Sequence, residues 1–256
     1  MKVIDVANRG GSAGKTTTVV NLAAMLAEAG YRVLVIDADA QANATRWLAV
    51  KPEPGRTIGH VMLGEVGLDD VIVDATSAPG VSLVPASPEL DQQLVYLAGA
   101  VGSQLKLARA LEKHTGHDLV LIDSPGSGQT MSVATLVPAD VAITVTKPTL
   151  KEVQGVHDFM RLVDEVAESF KPSLKTVAVI PCDVPASNAG ALYQEALALM
   201  TQQSWAHLVT PPVRHAVRVP EAYAQQVPLT ATPREPVTAD YRAVLQWLTD
   251  KHVIDA

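Results

Sequence analysis

The eleven residues from Asn8 to Thr18, Asn-Arg-Gly-Gly-Ser-Ala-Gly-Lys-Thr-Thr-Thr, constrain this chain more than any other stretch. Before them stands Val3-Ile4-Asp5-Val6-Ala7, short, mostly apolar and of strand character. After them, Val19 to Ala29 carries the alanine- and leucine-rich pattern of a helix. A strand, a glycine-rich turn and a helix in that order make a phosphate-binding loop. Small residues let backbone N–H groups close on phosphate oxygens, and the helix N-terminus adds partial positive charge. Gly10, Gly11, Ser12, Ala13, Gly14, Lys15, Thr16 and Thr17 are expected to surround the phosphates. Lys15 is expected to reach the β- and γ-phosphates and Thr16 to offer its hydroxyl to Mg²⁺. The strict spacing Gly-x-x-x-x-Gly-Lys-[Ser/Thr] needs glycine at position 9, where this chain has Arg9.

A second apolar run, Arg32-Val33-Leu34-Val35-Ile36, reads as a buried strand and ends in Asp37-Ala38-Asp39. Open α/β sheets bind ligands at the carboxyl ends of their strands, so these two acids face a nucleotide held by the first loop. One acid there can serve Mg²⁺ through water while the other orients an attacking water. A third run, Asp118-Leu-Val-Leu-Ile-Asp123, again ends in an acid, and Asp123 is expected to bind the water shell of Mg²⁺.

Strands are expected further at Val81 to Pro85, Val141 to Thr146 and Thr176 to Ile180. Helices are expected at Thr57 to Glu65, Leu68 to Val71, Leu90 to Ala98, Gln104 to Lys113, Thr130 to Val137, Leu150 to Phe170 and Ala189 to Gln202. That alternation predicts an α/β fold, one mostly parallel twisted sheet with helices on both faces, over a single domain spanning 1–256.

Hydrophobic residues make up 48% and charged residues 18%, which excludes a disordered chain. The one cysteine, Cys182, excludes an internal disulfide and fits a reducing compartment. No stretch approaches the ~20 apolar residues of a membrane span, and the N-terminus enters a strand directly, so a cytoplasmic location is expected. A net charge of −7 disfavours a surface that is polycationic throughout and leaves room for a local basic patch.

The chain resembles the ParA-type ATPases, a family with a deviant phosphate loop, in the small form without an N-terminal DNA-reading domain. The family reads Asn-Gln-Lys-Gly-Gly-Val-Gly-Lys-Thr-Thr-Thr where this chain has Asn8 to Thr18, and Asp-x-Asp-Pro-Gln-x-Asn-Ala-Thr where it has Asp37 to Thr45 with Ala40 for proline. The likeness continues through Leu63-Gly64-Glu65, Leu83 to Ser87, Asp123-Ser124-Pro125 and Arg214 through Ala222. It implies ATP/ADP and Mg²⁺ as cofactors, an ATP-dependent homodimer, non-specific DNA binding and slow hydrolysis stimulated by a ParB-like partner, in segregation of a plasmid or chromosome on the nucleoid. It implies that Asp39 positions the attacking water and Asp37 serves Mg²⁺. It also implies that adenine lies against Pro211-Pro212, and that Arg214 and Arg218 contact DNA.

Family members carry a signature lysine five residues before the phosphate-loop lysine, which reaches the partner's nucleotide; this chain has Gly10 there. Arg9 is the nearby cation and is the candidate to replace it. Three other readings stay open. One is a positioning ATPase with a protein cargo and a cargo adaptor as partner, and another is a nucleotide switch with little hydrolysis. The third is a MinD-like membrane ATPase, disfavoured because Tyr241 to Ala256 carries Asp250 and Asp255 rather than a basic amphipathic face.

Overall fold

Runs of valine, isoleucine and leucine that are buried from end to end build the centre of this protein: Val33–Asp37, Leu119–Asp123 and Val141–Thr146 have no exposed residue. Strands covered on both faces belong to a parallel sheet. The computed structural model describes residues 1–8, 13–126, 128–185 and 191–254. In chain order the elements are β1 (Lys2–Ala7), α1 (Lys15–Glu28), β2 (Val33–Asp37), α2 (Asn43–Trp47), α3 (Ile58–Leu63), β3 (Val73–Asp74), β4 (Val81–Val84), α4 (Leu90–Ala98) and α5 (Lys106–Leu111). They continue as β5 (Leu119–Asp123), α6 (Gln129–Leu136), β6 (Val141–Thr146), α7 (Leu150–Ser169), β7 (Thr176–Pro181), α8 (Ala191–Thr201), α9 (Arg218–Ala224) and α10 (Pro236–Asp250).

Among the described residues these strands form one seven-stranded sheet in the order β3-β4-β2-β5-β1-β6-β7. All neighbours are parallel except the two-residue β3, which closes one edge antiparallel to β4. One face is packed by α1 and α10 over Ile4, Val6, Val35 and Leu121, with Tyr241 and Leu248 buried against them. The other face is packed by α4, α5, α6 and α7 over Val3, Ile36 and Ile122.

The predicted fold class is borne out, and α4 and β6 fall where the periodicity puts them. Differences have local causes. Helix α1 starts at Lys15, ahead of the apolar pattern, because its first turn is polar and opens from Gly14, whose φ of 94° is a left-handed value. The helix expected over Gln104 to Lys113 is a 3-10 turn at Ser103–Leu105 followed by the shorter α5. Helices α2, α9 and α10 were not expected; α2 and α9 are about two turns or less, too short for apolar periodicity to show, whereas α10 is a full fifteen residues.

What this topology does for function is local. Register pairs Val6 with Asp123 and Asp37 with Asp123. The C-terminal ends of β1, β2 and β5 therefore bring the phosphate loop and both acid-bearing turns to one edge of the sheet.

Candidate active site

Arg9, Gly10, Gly11 and Ser12 lie outside the described residues, and so do the roles expected of them. From Ala13 onward the loop is defined. Gly14 stands against the wall formed by Cys182: a Cβ added to it would lie 3.2 Å from the Cys182 Cβ, so space and backbone conformation both demand glycine.

Lys15 follows directly and is itself buried, 8% exposed. Its ammonium donates to Asn8 Oδ1 at 2.8 Å, which ties the helix back to the end of β1. Burial lowers the Lys15 pKa, while the nearby Asp123, Asp39 and Glu152 pull it back up. Thr16 donates its hydroxyl to Asp123 Oδ2 at 2.7 Å. Asp123 is 1% exposed, its other oxygen has no hydrogen-bond partner among the described residues, and burial followed by the neighbouring Asp37 drives its carboxyl well above the usual range.

A buried acid with an orphaned oxygen beside a threonine hydroxyl is short of positive charge. That donor set fits Mg²⁺, a hard cation that takes oxygen ligands and keeps several waters. Thr16 would ligate it and Asp123 would hold its water shell. The cation would supply charge neutralisation for the phosphates.

Asp37 and Asp39 divide their work differently from the expectation. Asp37 is fully buried and both of its oxygens are taken inside the chain. Thr45 donates to Oδ2 from its backbone N at 2.8 Å and from its hydroxyl at 2.7 Å, and the Asp39 backbone donates to Oδ1 at 3.2 Å. Burial raises its pKa to about 6. Asp37 is thus the pin of the turn, with both oxygens engaged by Thr45 and the Asp39 backbone. Asp39 is half-buried and lines the cleft, its Oδ1 accepting from the Gln41 backbone at 2.9 Å.

The cleft has a volume of about 760 Å³ and is walled by Lys15, Thr16 and Thr17 on one side and by Asp39, Asn43, Asp91 and Pro125 on the others. A smaller cavity of about 210 Å³ opens beside it, between Gly14, Thr17 and Cys182 and the wall formed by Asp183, Val213 and His215. Pro211 and Pro212 precede that wall without lining it. Asp183 accepts from Lys147 at 2.7 Å and faces His215 Nδ1 at 2.6 Å. Burial pushes the Asp183 carboxyl up, but these two neighbours hold it below the ordinary range.

The two arginines expected on DNA are both paired within the chain. Arg214 grips Asp240 with Nε at 2.6 Å and Nη2 at 2.8 Å, clamping the segment after β7 to α10. Arg218 reaches Glu221 at 3.0 Å on the first turn of α9. Val217, between them, is exposed.

A family model described as an AAA domain matches residues 1–176. The chromosome-partitioning ATPase Soj of Thermus thermophilus is 36% identical over 177 residues, covering 69% of this chain and 67% of that protein. The chain belongs to the ParA-type ATPases. Among solved structures, apo McdA of Cyanothece superposes with a TM-score of 0.88 at 24% identity, covering 97% of this chain and 99% of that one. A cobyrinic acid a,c-diamide synthase of Mycobacterium smegmatis, solved with an ATP analogue and magnesium, superposes with a TM-score of 0.82 at 26% identity, covering 99% and 97%.

As a ParA-type chain it is a P-loop ATP hydrolase that uses ATP/ADP and Mg²⁺. Sequence reasoning named Lys15, Thr16, Asp39 and Asp123 and missed the residues that hold them. Asn8 and Thr45 were both quoted in motifs but given no task, because a side chain that bonds another side chain across the fold leaves no periodic signal.

Proposed function

We propose that this chain is a partitioning ATPase that dimerises on ATP, binds DNA without sequence preference and is stimulated by a ParB-like protein to hydrolyse ATP. The observation that carries the catalytic part is the Thr16 hydroxyl on Asp123 beside the buried Lys15, facing a cleft that Asp39 enters. Within it Lys15 binds the β- and γ-phosphates, the backbone from Ala13 to Thr17 cradles them, Thr16 and Asp123 hold Mg²⁺, and Asp39 orients water. The base would enter the side cavity bordered by Asp183 and Val213, downstream of the Pro211-Pro212 pair. Arg9 would act across the dimer in place of the missing signature lysine.

The partitioning part is supported by the likeness to Soj. A cytoplasmic, nucleoid-associated location goes with it, and no helix among the described residues is long and apolar enough to cross a membrane. A second reading, an ATPase that positions a protein cargo, is favoured by one observation: Arg214 and Arg218 already hold intrachain acids, so each must exchange a partner before it meets a phosphate. ATP turnover measured with and without non-specific duplex DNA across a salt series separates the two. DNA stimulation that fades steeply with salt supports partitioning on DNA. Turnover indifferent to DNA at low salt overturns it.

A further inference from the structure

In the middle of β1, an interior strand between β5 and β6 where each neighbour on the same face is apolar, the chain carries an aspartate. Asp5 is 0% exposed and lies between Val3 and Ala7 on the face covered by α6 and α7. Ser124 donates to Asp5 Oδ1, and Thr135 stands behind Ser124; both are 0% exposed. Four oxygens stand in a row: Asp5 Oδ1, Ser124 Oγ, Thr135 Oγ1 at 2.8 Å from Ser124, and the Ser132 carbonyl at 3.1 Å from Thr135. The other Asp5 oxygen is buried with no hydrogen-bond partner among the described residues. Burial pushes the Asp5 carboxyl up to about 7 even though Ser124 and Thr135 pull it down.

Such a group destabilises a core. A half-satisfied polar cluster is worse than an apolar one of the same volume, and replacing it with hydrophobic residues is often neutral or stabilising. Packing gives no reason for an acid here, but its connections do. The row joins three segments that each run directly into the active site. Strand β1 leads to Asn8, which holds Lys15. Ser124 directly follows Asp123 and is bonded through its backbone N to the Val6 carbonyl at 3.2 Å. Helix α6 follows the Pro125-Gly126 turn that walls the cleft.

We propose that Asp5 is a positioning residue of the ATPase site, fixing Ser124 and through it the orientation of Asp123 towards the metal. This rests on the ATPase reading and adds to it a residue two shells from the phosphates. Asp5 touches neither nucleotide nor metal; its side chain bonds Ser124, next to Asp123, so its effect falls on the Mg²⁺ side of the site.

The test measures ATP affinity by calorimetry with and without Mg²⁺, for the parent chain, Asp5→Val and Asp5→Asn, beside their urea stability. The expected result is an Asp5→Val protein at least as stable as the parent, with unchanged affinity for Mg²⁺-free ATP. The extra affinity conferred by Mg²⁺ should fall about tenfold, the usual scale for a residue behind a metal ligand. Asp5→Asn keeps an acceptor for Ser124 and should restore most of that loss. Ser124→Ala breaks the same row without touching β1 and should reproduce the Asp5→Val result, which covers the case in which Asp5→Val fails to fold. An Asp5→Val or Ser124→Ala protein with the full Mg²⁺ increment overturns the proposal alone. A parent chain with no Mg²⁺ increment overturns the ATPase reading and this inference together.

Discussion

Replacing Thr45 with valine should destabilise the protein far more than its size suggests. The side chain is 2% exposed and its hydroxyl does two things at once: it donates to Asp37 Oδ2 at 2.7 Å and accepts from the Ala86 backbone N at 3.0 Å. Valine keeps the shape and removes both bonds. A hydrogen bond to an ionisable group contributes roughly 1.5–3 kcal/mol, and leaving the buried Ala86 N–H unpaired costs about 1–3 kcal/mol. The expected loss is therefore about 3–5 kcal/mol in urea unfolding at neutral pH. Thr45→Ser keeps the hydroxyl, deletes one methyl and should cost only about 1 kcal/mol. Because the Asp37 turn carries Asp39 into the cleft, Thr45→Val should also slow ATP turnover more than Thr45→Ser. If the two variants unfold within 1 kcal/mol of each other, taking that figure as the resolution of the comparison, the hydroxyl does not hold the turn and Asp37 is not its pin.

Other expectations follow from the same contacts. Asp5 has a folded-state pKa raised from 3.8 to about 7, so the unfolded chain loses its proton first and stability falls as pH rises through that window. The loss amounts to about 4 kcal/mol at 1.36 kcal/mol per unit. The stability difference between Asp5→Asn and the parent should therefore grow in urea melts from pH 4 to pH 7 and level off above; a difference flat with pH contradicts the buried acid. Lys15→Ala should abolish detectable ATP binding by calorimetry while leaving the fold intact by circular dichroism. Thr16→Ala should retain Mg²⁺-free ATP binding and lose the Mg²⁺ increment. Arg214→Ala should lower thermal stability through the freed Asp240, and its effect on DNA binding should exceed that of Arg218→Ala only if Arg214 leaves Asp240 on DNA. Each phosphate neutralised should add about 0.9 to the salt slope measured by filter binding.

The phosphate loop, the acid-ended strands and their common edge were legible in the sequence because each is local: a composition of small residues, a lysine and threonines at fixed spacing, and apolar runs ending in aspartate. Asp37 shows where that legibility stops. Its place at the end of β2 could be read from the apolar run, but the direction of its carboxylate depends on Thr45, eight residues on and across a turn whose Ala42 sits at a φ of 51°. The pairing of Arg214 was out of reach in the same way, since Asp240 is distant in sequence and only the docking of α10 brings it near. Asp5 lay unremarked in a mostly apolar strand and carried no meaning until Ser124 and Thr135 stood beside it.

The cysteine behind Gly14 makes this chain its own clock. Cys182 is the one thiol in the sequence and is 2% exposed, and burial pushes its pKa to about 12, so its reaction with a thiol reagent is slow unless the wall between the phosphate loop and α10 parts. The rate of its modification therefore counts openings of the nucleotide site in the unlabelled native protein, and bound ATP should lengthen the interval between them.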